Sequence, residues 1–349
     1  MNLHPPVRFA AIGLNHGHIY SMVESLLAAG AQLVACFAEE PDLASSFLAT
    51  FPQARFARSA AEILEDPTIA LLASAAIPAE RAALSVAAMR HGKDVLVAKP
   101  GATTLAQLEE VRRAQAETGR IYSVFFSERL GNHATVRAGQ LVQAGAIGQV
   151  VQTLGLGPHR LGLASRPAWF FQPERAGGIL ADIASHQVDQ FLFFTGSTSA
   201  QVVAAQVANY AHPQQPTLED FGDMTLRSPS ATGYIRVDWL TPDGLPTWGD
   251  GRLVILGTEG YIELRKYVDI AGRPGGSHLF LCDARQTSYV PCEDVELPFA
   301  RQLLADIRDR TATSMPQGHV FLASELALRA QAQAARLGFL AHEKTPASS

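Results

Sequence analysis

A chain of 349 residues is too long for one ordinary core, and 47% hydrophobic with 17% charged residues is a globular composition with ample apolar surface to bury. The formal net charge of −5 comes from 28 basic and 33 acidic residues with no block of one sign, which excludes the electrostatic footprint of a nucleic-acid-binding protein. Three cysteines (Cys36, Cys282, Cys292) cannot all pair and fit a reducing compartment. The N-terminus lacks a leader pattern and no apolar run reaches the roughly 20 residues of a membrane helix, so a cytoplasmic protein is expected.

The first third alternates strand and helix. Arg8 to Gly13 is a short apolar run closed by glycine, and Ile19 to Leu27 follows with helical periodicity. Gln32 to Phe37 is β-prone, and Leu43, Phe47 and Leu48 mark a second helix. The pattern continues through Arg55 to Ala57, a helix over Ala60 to Glu65, a strand over Ile69 to Ala76, a helix over Ala79 to His91 and a strand over Asp94 to Val97. A helix from Leu105 to Thr118, with Thr104 as its cap, and a strand from Ile121 to Phe126 complete the unit. Continuous apolar strands alternating with helices predict a Rossmann-type, doubly wound parallel sheet over residues 1–126.

After Ser127 the texture changes. A helix over Ala134 to Gln143 leads to strands at Val150 to Leu156, Ala200 to Asn209, Asp223 to Arg227, Thr232 to Leu240, Leu253 to Gly257 and Tyr261 to Leu264. Short turns between them predict a second, α+β domain over residues 127–349, built on a large, mainly antiparallel open sheet. A last helix, Ala323 to Ala341, is expected to pack back on the core.

Gly13-Leu14-Asn15-His16-Gly17-His18 lies between the first strand and first helix, where a dinucleotide fold places its phosphate loop. Only Gly13 matches the usual glycine pattern. Asn15 takes the second glycine's place, where asparagine tolerates a left-handed backbone, and Gly17 comes one residue before the third. His16 and His18 could meet phosphate at the helix N-terminus, or simply pack. Glu39 or Glu40 ends the second strand at the place of a ribose-binding acid, which favours NAD over NADP because an acid repels a 2′-phosphate. Farther on, Gly177-Gly178 opens a helix on which Asp182, His186 and Asp189 are spaced i, i+4 and i+7 along one stripe. A histidine one turn from an aspartate suits proton transfer near neutral pH. Lys99, at the end of the Val95 to Val97 strand, either points to water or faces the cofactor.

These residues carry a resemblance to the Gfo/Idh/MocA oxidoreductases, the glucose-fructose oxidoreductase and inositol dehydrogenase family. Gly92 to Pro100 resembles the family's GKHVLVEKP, Ala144 to Gly148 its SGAIG, and Ala176 to Asp189 its GGGxLLDxGxHxxD. The resemblance implies an NAD(P)-dependent dehydrogenase or reductase acting on CH–OH groups of a sugar, polyol or related small molecule. Lys99, Asp182 and His186 would be its catalytic residues, with Lys99 also beside the cofactor. His186 would take the hydroxyl proton, Lys99 would steady the oxygen, and Asp182 would orient the imidazole or bind a neighbouring hydroxyl. A homo-oligomer, dimer or tetramer, is implied through the open sheet.

The chain departs from the family pattern at three places. Ala98 replaces the acid before the lysine, which removes a partner that favours the charged amine. Ile77 to Ala82 stands for a PNxxH turn, with Pro78 expected at the cofactor, Ala82 in the histidine's place and Arg81 available for a polar role. Ala184 replaces a common glycine. Substrate contacts are expected from His159, Arg160, Arg166 and Trp169, with Arg175 a further candidate for a carboxylate or phosphate, and His319 is placed just before the last helix. No metal is expected, because only the Asp182 and His186 pair has ligand spacing. Two alternatives stay open: a lyase or glycoside-cleaving enzyme that retains NAD and oxidises transiently, and a cofactor-binding protein that has lost its chemistry.

Overall fold

The computed structural model describes residues 5–337. Strand β1 (Arg8–Ile12) leads to helix α1 (His18–Ala28), followed by β2 (Gln32–Phe37), α2 (Pro41–Thr50), β3 (Arg55–Phe56) and α3 (Ala60–Glu65). The second half of the unit is β4 (Leu71–Ser74), α4 (Pro78–Arg90), β5 (Asp94–Ala98), α5 (Leu105–Thr118) and β6 (Tyr122–Phe125). All six strands are parallel in the order β3-β2-β1-β4-β5-β6, so the direction of winding reverses between β1 and β4. Residues of β4, β5 and β6 are buried without alternation, as a sheet covered on both faces requires. Thr104 caps α5 by accepting from the Gln107 N–H, as its sequence predicts.

Helices α6 (Ser127–Leu130) and α7 (His133–Gln143) precede β7 (Val150–Pro158), and a short helix α8 (Pro173–Ala176) follows a loop of aromatic residues. A π-helical turn, Leu180–Ala184, runs into α9 (Ser185–Thr195). Then come β8 (Gln201–Ala208), β9 (Phe221–Arg227), β10 (Thr232–Asp238), β11 (Arg252–Gly257), β12 (Tyr261–Arg265), β13 (His278–Cys282) and β14 (Thr287–Val290). Helices α10 (Phe299–Asp309) and α11 (Gln317–Gln333) and strand β15 (Ala335–Leu337) finish the described chain. The nine strands form one sheet, β14-β13-β12-β11-β7-β10-β9-β8-β15. It is antiparallel except for β7 with β10 and β8 with β15. Helix α9 packs on one face: Gly155 and Gly157 of β7 leave room for Gln187, whose atoms would clash with a Cβ at either position.

The C-terminal helices bind the two sheets together. Gln317 accepts from the Tyr122 N–H at 2.9 Å and donates to the Tyr122 carbonyl at 3.1 Å, so one amide bridges α11 to the β6 backbone. Arg310, at the end of α10, makes a forked ion pair with Asp94 at the start of β5.

The last helix differs from its expected span. It begins at Gln317 and ends at Gln333, because the chain then leaves as β15 to pair with β8; the expected positions 338–341 lie outside the described residues. His319 therefore stands in the first turn of α11 instead of before it, and its Nε2 contacts Asp189 at 2.7 Å. Asp189 also takes a forked pair from Arg129, at 2.6 and 2.7 Å, so this third member of the expected stripe is a buried structural anchor. All three cysteines are free.

Candidate active site

The phosphate loop is stitched across the point where the winding reverses. Gly13 N–H bonds the Phe37 carbonyl, Ala75 N–H bonds the Gly13 carbonyl and His16 N–H bonds the Ala75 carbonyl, each at 3.0 Å. Gly13 has φ +74°, and a Cβ there would lie 2.4 Å from the Cβ of Ala76, so glycine is required on both counts. Helix α1 begins just beyond, with exposed Gly17 as its N-cap and no acid in its first turn. Its end is thus free to attract an anion. His16 Nδ1 accepts from the His18 N–H at 3.1 Å, so one nitrogen of His16 serves the helix and not a ligand.

A crevice of about 190 Å³ opens beside this loop, with Gly13, Asn15, Phe37, Glu39 and Glu40 in its wall. Asn15 Nδ2 donates to Glu40 Oε1 at 2.7 Å, fixing a carboxylate next to the glycine turn. A dinucleotide fits these residues. The Cβ-free turn allows close approach of a pyrophosphate, the helix end faces it, and the glutamates suit ribose hydroxyls.

Lys99 lies at the C-terminal end of β5 and is 3% exposed, followed by a cis peptide bond to Pro100. Its Nζ donates to Asp182 Oδ1 at 2.7 Å, across the cleft between the two sheets. The carboxylate that pairs with Lys99 comes from the π-helical turn. Burial opposes ionisation of Asp182, but the charge and hydrogen bond of Lys99 more than offset it and bring the pKa to about 2. The π-helical turn widens the helix where Asp182 leaves it, a distortion common at functional sites.

Arg81, fully buried on α4, determines the other side of that strand end. Its Nε donates to the Ala76 carbonyl, and one terminal nitrogen reaches the carbonyls of Ala98, Lys99 and Pro100 at 3.2, 2.6 and 3.0 Å. The polar role expected of Arg81 is thus to hold the backbone that carries Lys99. Burial lowers its pKa to about 10, and it stays charged at neutral pH. Ala82 beside it is buried, and Pro78 is the first residue of α4.

His186 is 2% exposed, and its ring makes no hydrogen bond among the described residues. Burial is the main reason its pKa falls to about 3, partly opposed by Glu128 and reinforced by Lys99. The Glu128 charge acts on the imidazole, whereas one oxygen of Asp182 is engaged by Lys99 and no hydrogen bond joins Asp182 to the His186 ring among the described residues. His18 stands edge-on to His186 with centroids 6.2 Å apart, and His16 lies 4.3 Å from His18. Burial and neighbouring cations also keep His16 neutral, with a pKa of about 3, and hold His18 well below its usual value.

Glu128 carries no motif in the sequence and is a buried acid of this region. Its Oε2 accepts from Lys266 Nζ at 2.7 Å and Gln187 Nε2 at 2.9 Å, and Lys266 also donates to Gln190. Burial works against its charge, yet Lys266 and the nearby histidines bring its pKa to about 2. Nothing in the local sequence marks Glu128 or Lys266, which are 138 residues apart.

The expected substrate residues separate in the structure. His159 belongs to the cleft: its Nδ1 contacts the Gly157 carbonyl, its ring meets Trp248 and Trp239, and burial lowers its pKa to about 4. Arg160, its neighbour, is turned to the loop at Pro242, Asp243 and Leu245, whose three carbonyls its Nη2 contacts. Arg166 stacks over Phe170 and Trp239, with its guanidinium carbon 4.4 and 4.7 Å from the ring centres. Trp169 is half-buried, edge-on to Phe170, whereas Phe170 and Trp239 are the aromatics that line the crevice containing Asp182. Arg175 pairs with Glu80 of α4. Among the described residues no group of three or more His, Cys, Asp or Glu is arranged to hold a metal ion.

A parallel nucleotide-type sheet, a glycine turn at its reversal point, a buried lysine–carboxylate pair and a buried histidine define the class: a dinucleotide-binding oxidoreductase. Comparison with known proteins agrees and is more specific. Residues 7–126 match the model of the oxidoreductase family with an NAD-binding Rossmann fold, and residues 135–263 match the GFO/IDH/MocA C-terminal domain. The chain belongs to the Gfo/Idh/MocA oxidoreductase family.

A putative oxidoreductase from Erwinia carotovora atroseptica SCRI1043 is 48% identical with a TM-score of 0.93, covering 95% of this chain and 100% of that one. Levoglucosan dehydrogenase in complex with NADH and levoglucosan shares the fold at TM-score 0.77 and 20% identity, covering 94% of this chain and 97% of the other. Among curated relatives, the scyllo-inositol 2-dehydrogenase (NADP(+)) IolW of Bacillus subtilis is 28% identical over 170 residues, 46% of this chain and 47% of its own length. The NAD(+) scyllo-inositol 2-dehydrogenase of the same organism is 26% identical over 227 residues, 62% of each. The chain thus spans only about half to three-fifths of the length of these curated relatives.

Proposed function

We propose that the protein is an NAD-dependent dehydrogenase that oxidises a hydroxyl-bearing carbon of a sugar, polyol or related small molecule, or reduces the corresponding carbonyl. The observation that carries this reading is the buried Lys99 and Asp182 pair that joins the two sheets, together with a buried His186 on the same glycine-led helical segment as Asp182. The named activities of its relatives, on inositols and levoglucosan, support the substrate class.

When bound, the nicotinamide supplies a hydride acceptor for the carbon being oxidised. Lys99, held in place by Asp182, donates a hydrogen bond to the substrate oxygen and stabilises the charge that grows on it. His186, neutral and without a protein partner, receives the hydroxyl proton, and the Glu128 carboxylate stabilises the resulting imidazolium. Gly13, Gly17 and the start of α1 hold the pyrophosphate. Asn15 and Pro78 border the cofactor, and His16 and His18 close its approach from the loop side. Glu39 and Glu40 favour NAD by repelling a 2′-phosphate, with Asn15 fixing Glu40. His159, Arg166 and Trp169 form the substrate wall, and Arg160 supports it by anchoring the adjoining loop.

We further propose that residues 1–126 bind cofactor, residues 127–349 bind substrate, and the protein works in the cytoplasm as a homo-oligomer. Leu154, Leu256 and Tyr261 expose apolar surface on the outer face of the nine-stranded sheet, which supports association of copies there. Among the described residues no helix is long and apolar enough to cross a membrane. Incubation of purified protein with NAD and a panel of sugars and polyols tests the activity. Reduced-nicotinamide absorbance is the expected result, and its absence with every substrate sinks the proposal.

A further inference from the structure

We infer that the substrate carries a carboxylate and that Arg166 is the residue that receives it. This rests on the dehydrogenase reading above and names the substrate class more closely.

Three arginines lie near the cleft in sequence, and the structure leaves one of them available. Arg160 gives its Nη2 to three loop carbonyls and its Nε approaches Asp243 at 3.4 Å. Arg175 is paired with Glu80 at 2.9 Å. Arg166 forms no ion pair among the described residues. Its Nε donates to the Leu161 carbonyl at 2.7 Å and its Nη2 lies 3.5 Å from the Arg160 carbonyl, so neither bond uses Nη1. Stacking on Phe170 and Trp239 keeps the guanidinium plane fixed at 4.4 and 4.7 Å.

Those two rings also line the crevice that contains Asp182. Arg166 is half-buried behind them, and the charge of Asp182 acts on its guanidinium. Glu219, the other acid of this crevice, is already satisfied by the Ile179 N–H, Gln331 and Arg336.

Charge balance points the same way. Lys99 offsets Asp182 and Lys266 offsets Glu128, leaving the positive charges of Arg81 and Arg166. Arg81 is enclosed and bonded to backbone carbonyls, so of these two cations Arg166 is the one without an enclosing set of partners among the described residues. One rigid, stacked guanidinium with spare N–H suits a monoanionic carboxylate, whereas a phosphate dianion asks for more than one free cation. A sugar acid or polyol acid satisfies both halves of the site, its hydroxyl at Lys99 and its carboxylate at Arg166.

The test compares kcat/KM with NAD for D-galacturonate against D-galactose and for D-gluconate against D-glucitol, with glucose 6-phosphate as the phosphate probe. The acids are expected to be preferred by about tenfold or more, the range for one charged hydrogen-bonding partner. Arg166→Met is expected to collapse that preference, chiefly through KM, and Arg166→Lys to restore part of it. Preference for the neutral sugars or for the phosphate, an unchanged acid preference in Arg166→Met, or a loss confined to NAD affinity overturns the inference. If no probe is turned over, the dehydrogenase reading fails separately. Calorimetric titration of D-galacturonate and D-gluconate into the NAD-loaded protein then decides the carboxylate site: binding weakened about tenfold or more by Arg166→Met upholds it, and no binding, or equal binding to the variant, overturns it.

Discussion

Lys99 and Asp182 lie 83 residues apart in the chain, yet their side chains meet at 2.7 Å, one from the end of a parallel strand and the other from a π-helical turn of the second sheet's helix. With side chains 4% and 19% exposed, the pair joins the two halves of the protein at the point where chemistry is proposed.

Breaking that pair is expected to cost both stability and rate. Asp182→Asn leaves the buried ammonium without its counter-charge, for a loss of roughly 3 kcal/mol in denaturant unfolding. The same variant should lower kcat/KM by about a hundredfold or more through the misplaced lysine. The double variant Lys99→Met with Asp182→Leu should recover much of the stability and none of the activity, a split that chemical denaturation and steady-state kinetics read independently.

Stability is expected to fall as the solution is acidified, in two overlapping stages. His16, His159 and His186 have pKa values lowered to about 3, 4 and 3 in the folded chain, so the unfolded chain takes up protons that the folded one refuses from about pH 6.5 downward. Asp182, Glu128 and Asp189 are lowered to about 2, so their contribution is complete above about pH 4.3 and is lost as pH falls toward 2. Thermal melting across this range should show a decline that begins near pH 6.5; a flat profile down to pH 4.5 would count against neutral buried histidines.

Arg81 makes a different prediction, because its partners are backbone carbonyls and not acids. Arg81→Met keeps the packing volume but strips four carbonyls of their donor, and should destabilise the protein by about 2–4 kcal/mol. Activity should fall beyond the loss of folded protein, since the Lys99 and Pro100 backbone is no longer held; normal kcat in the folded fraction would show that Arg81 serves folding alone.

Cofactor choice is tested at Glu40 and the glycine turn. Wild type should favour NAD over NADP by about tenfold or more, and Glu40→Ser should narrow that ratio, as fluorescence titration would record. Gly13→Ala should weaken both cofactors strongly, because the added methyl meets Ala76 at 2.4 Å in a left-handed backbone.

Much of the first sheet is legible in the sequence because β4 to β6 are unbroken apolar runs and the helices carry local signals such as the Thr104 cap. The later strands β13 to β15 are short and partly polar, whereas α10 carries a regular apolar stripe, Phe299, Ala300, Leu303, Leu304 and Ile307, that helical periodicity makes legible. Lys99, Asp182 and His186 could be named from local motifs, but their division of labour could not. The charge that acts on His186 depends on Glu128 being buried against Lys266, a contact made only when distant segments pack. Arg160 illustrates the converse: it adjoins His159 in sequence, but successive side chains on an extended segment point to opposite sides.

The most direct test of the central claim is single-turnover hydride transfer in wild type, Lys99→Met and His186→Ala, each saturated with NAD and a substrate that wild type oxidises. Rates lower by about a hundredfold or more in both variants, with the folded protein still binding NAD, are the predicted result. Transfer at the wild-type rate in either variant would contradict the assignment of that residue to the reaction.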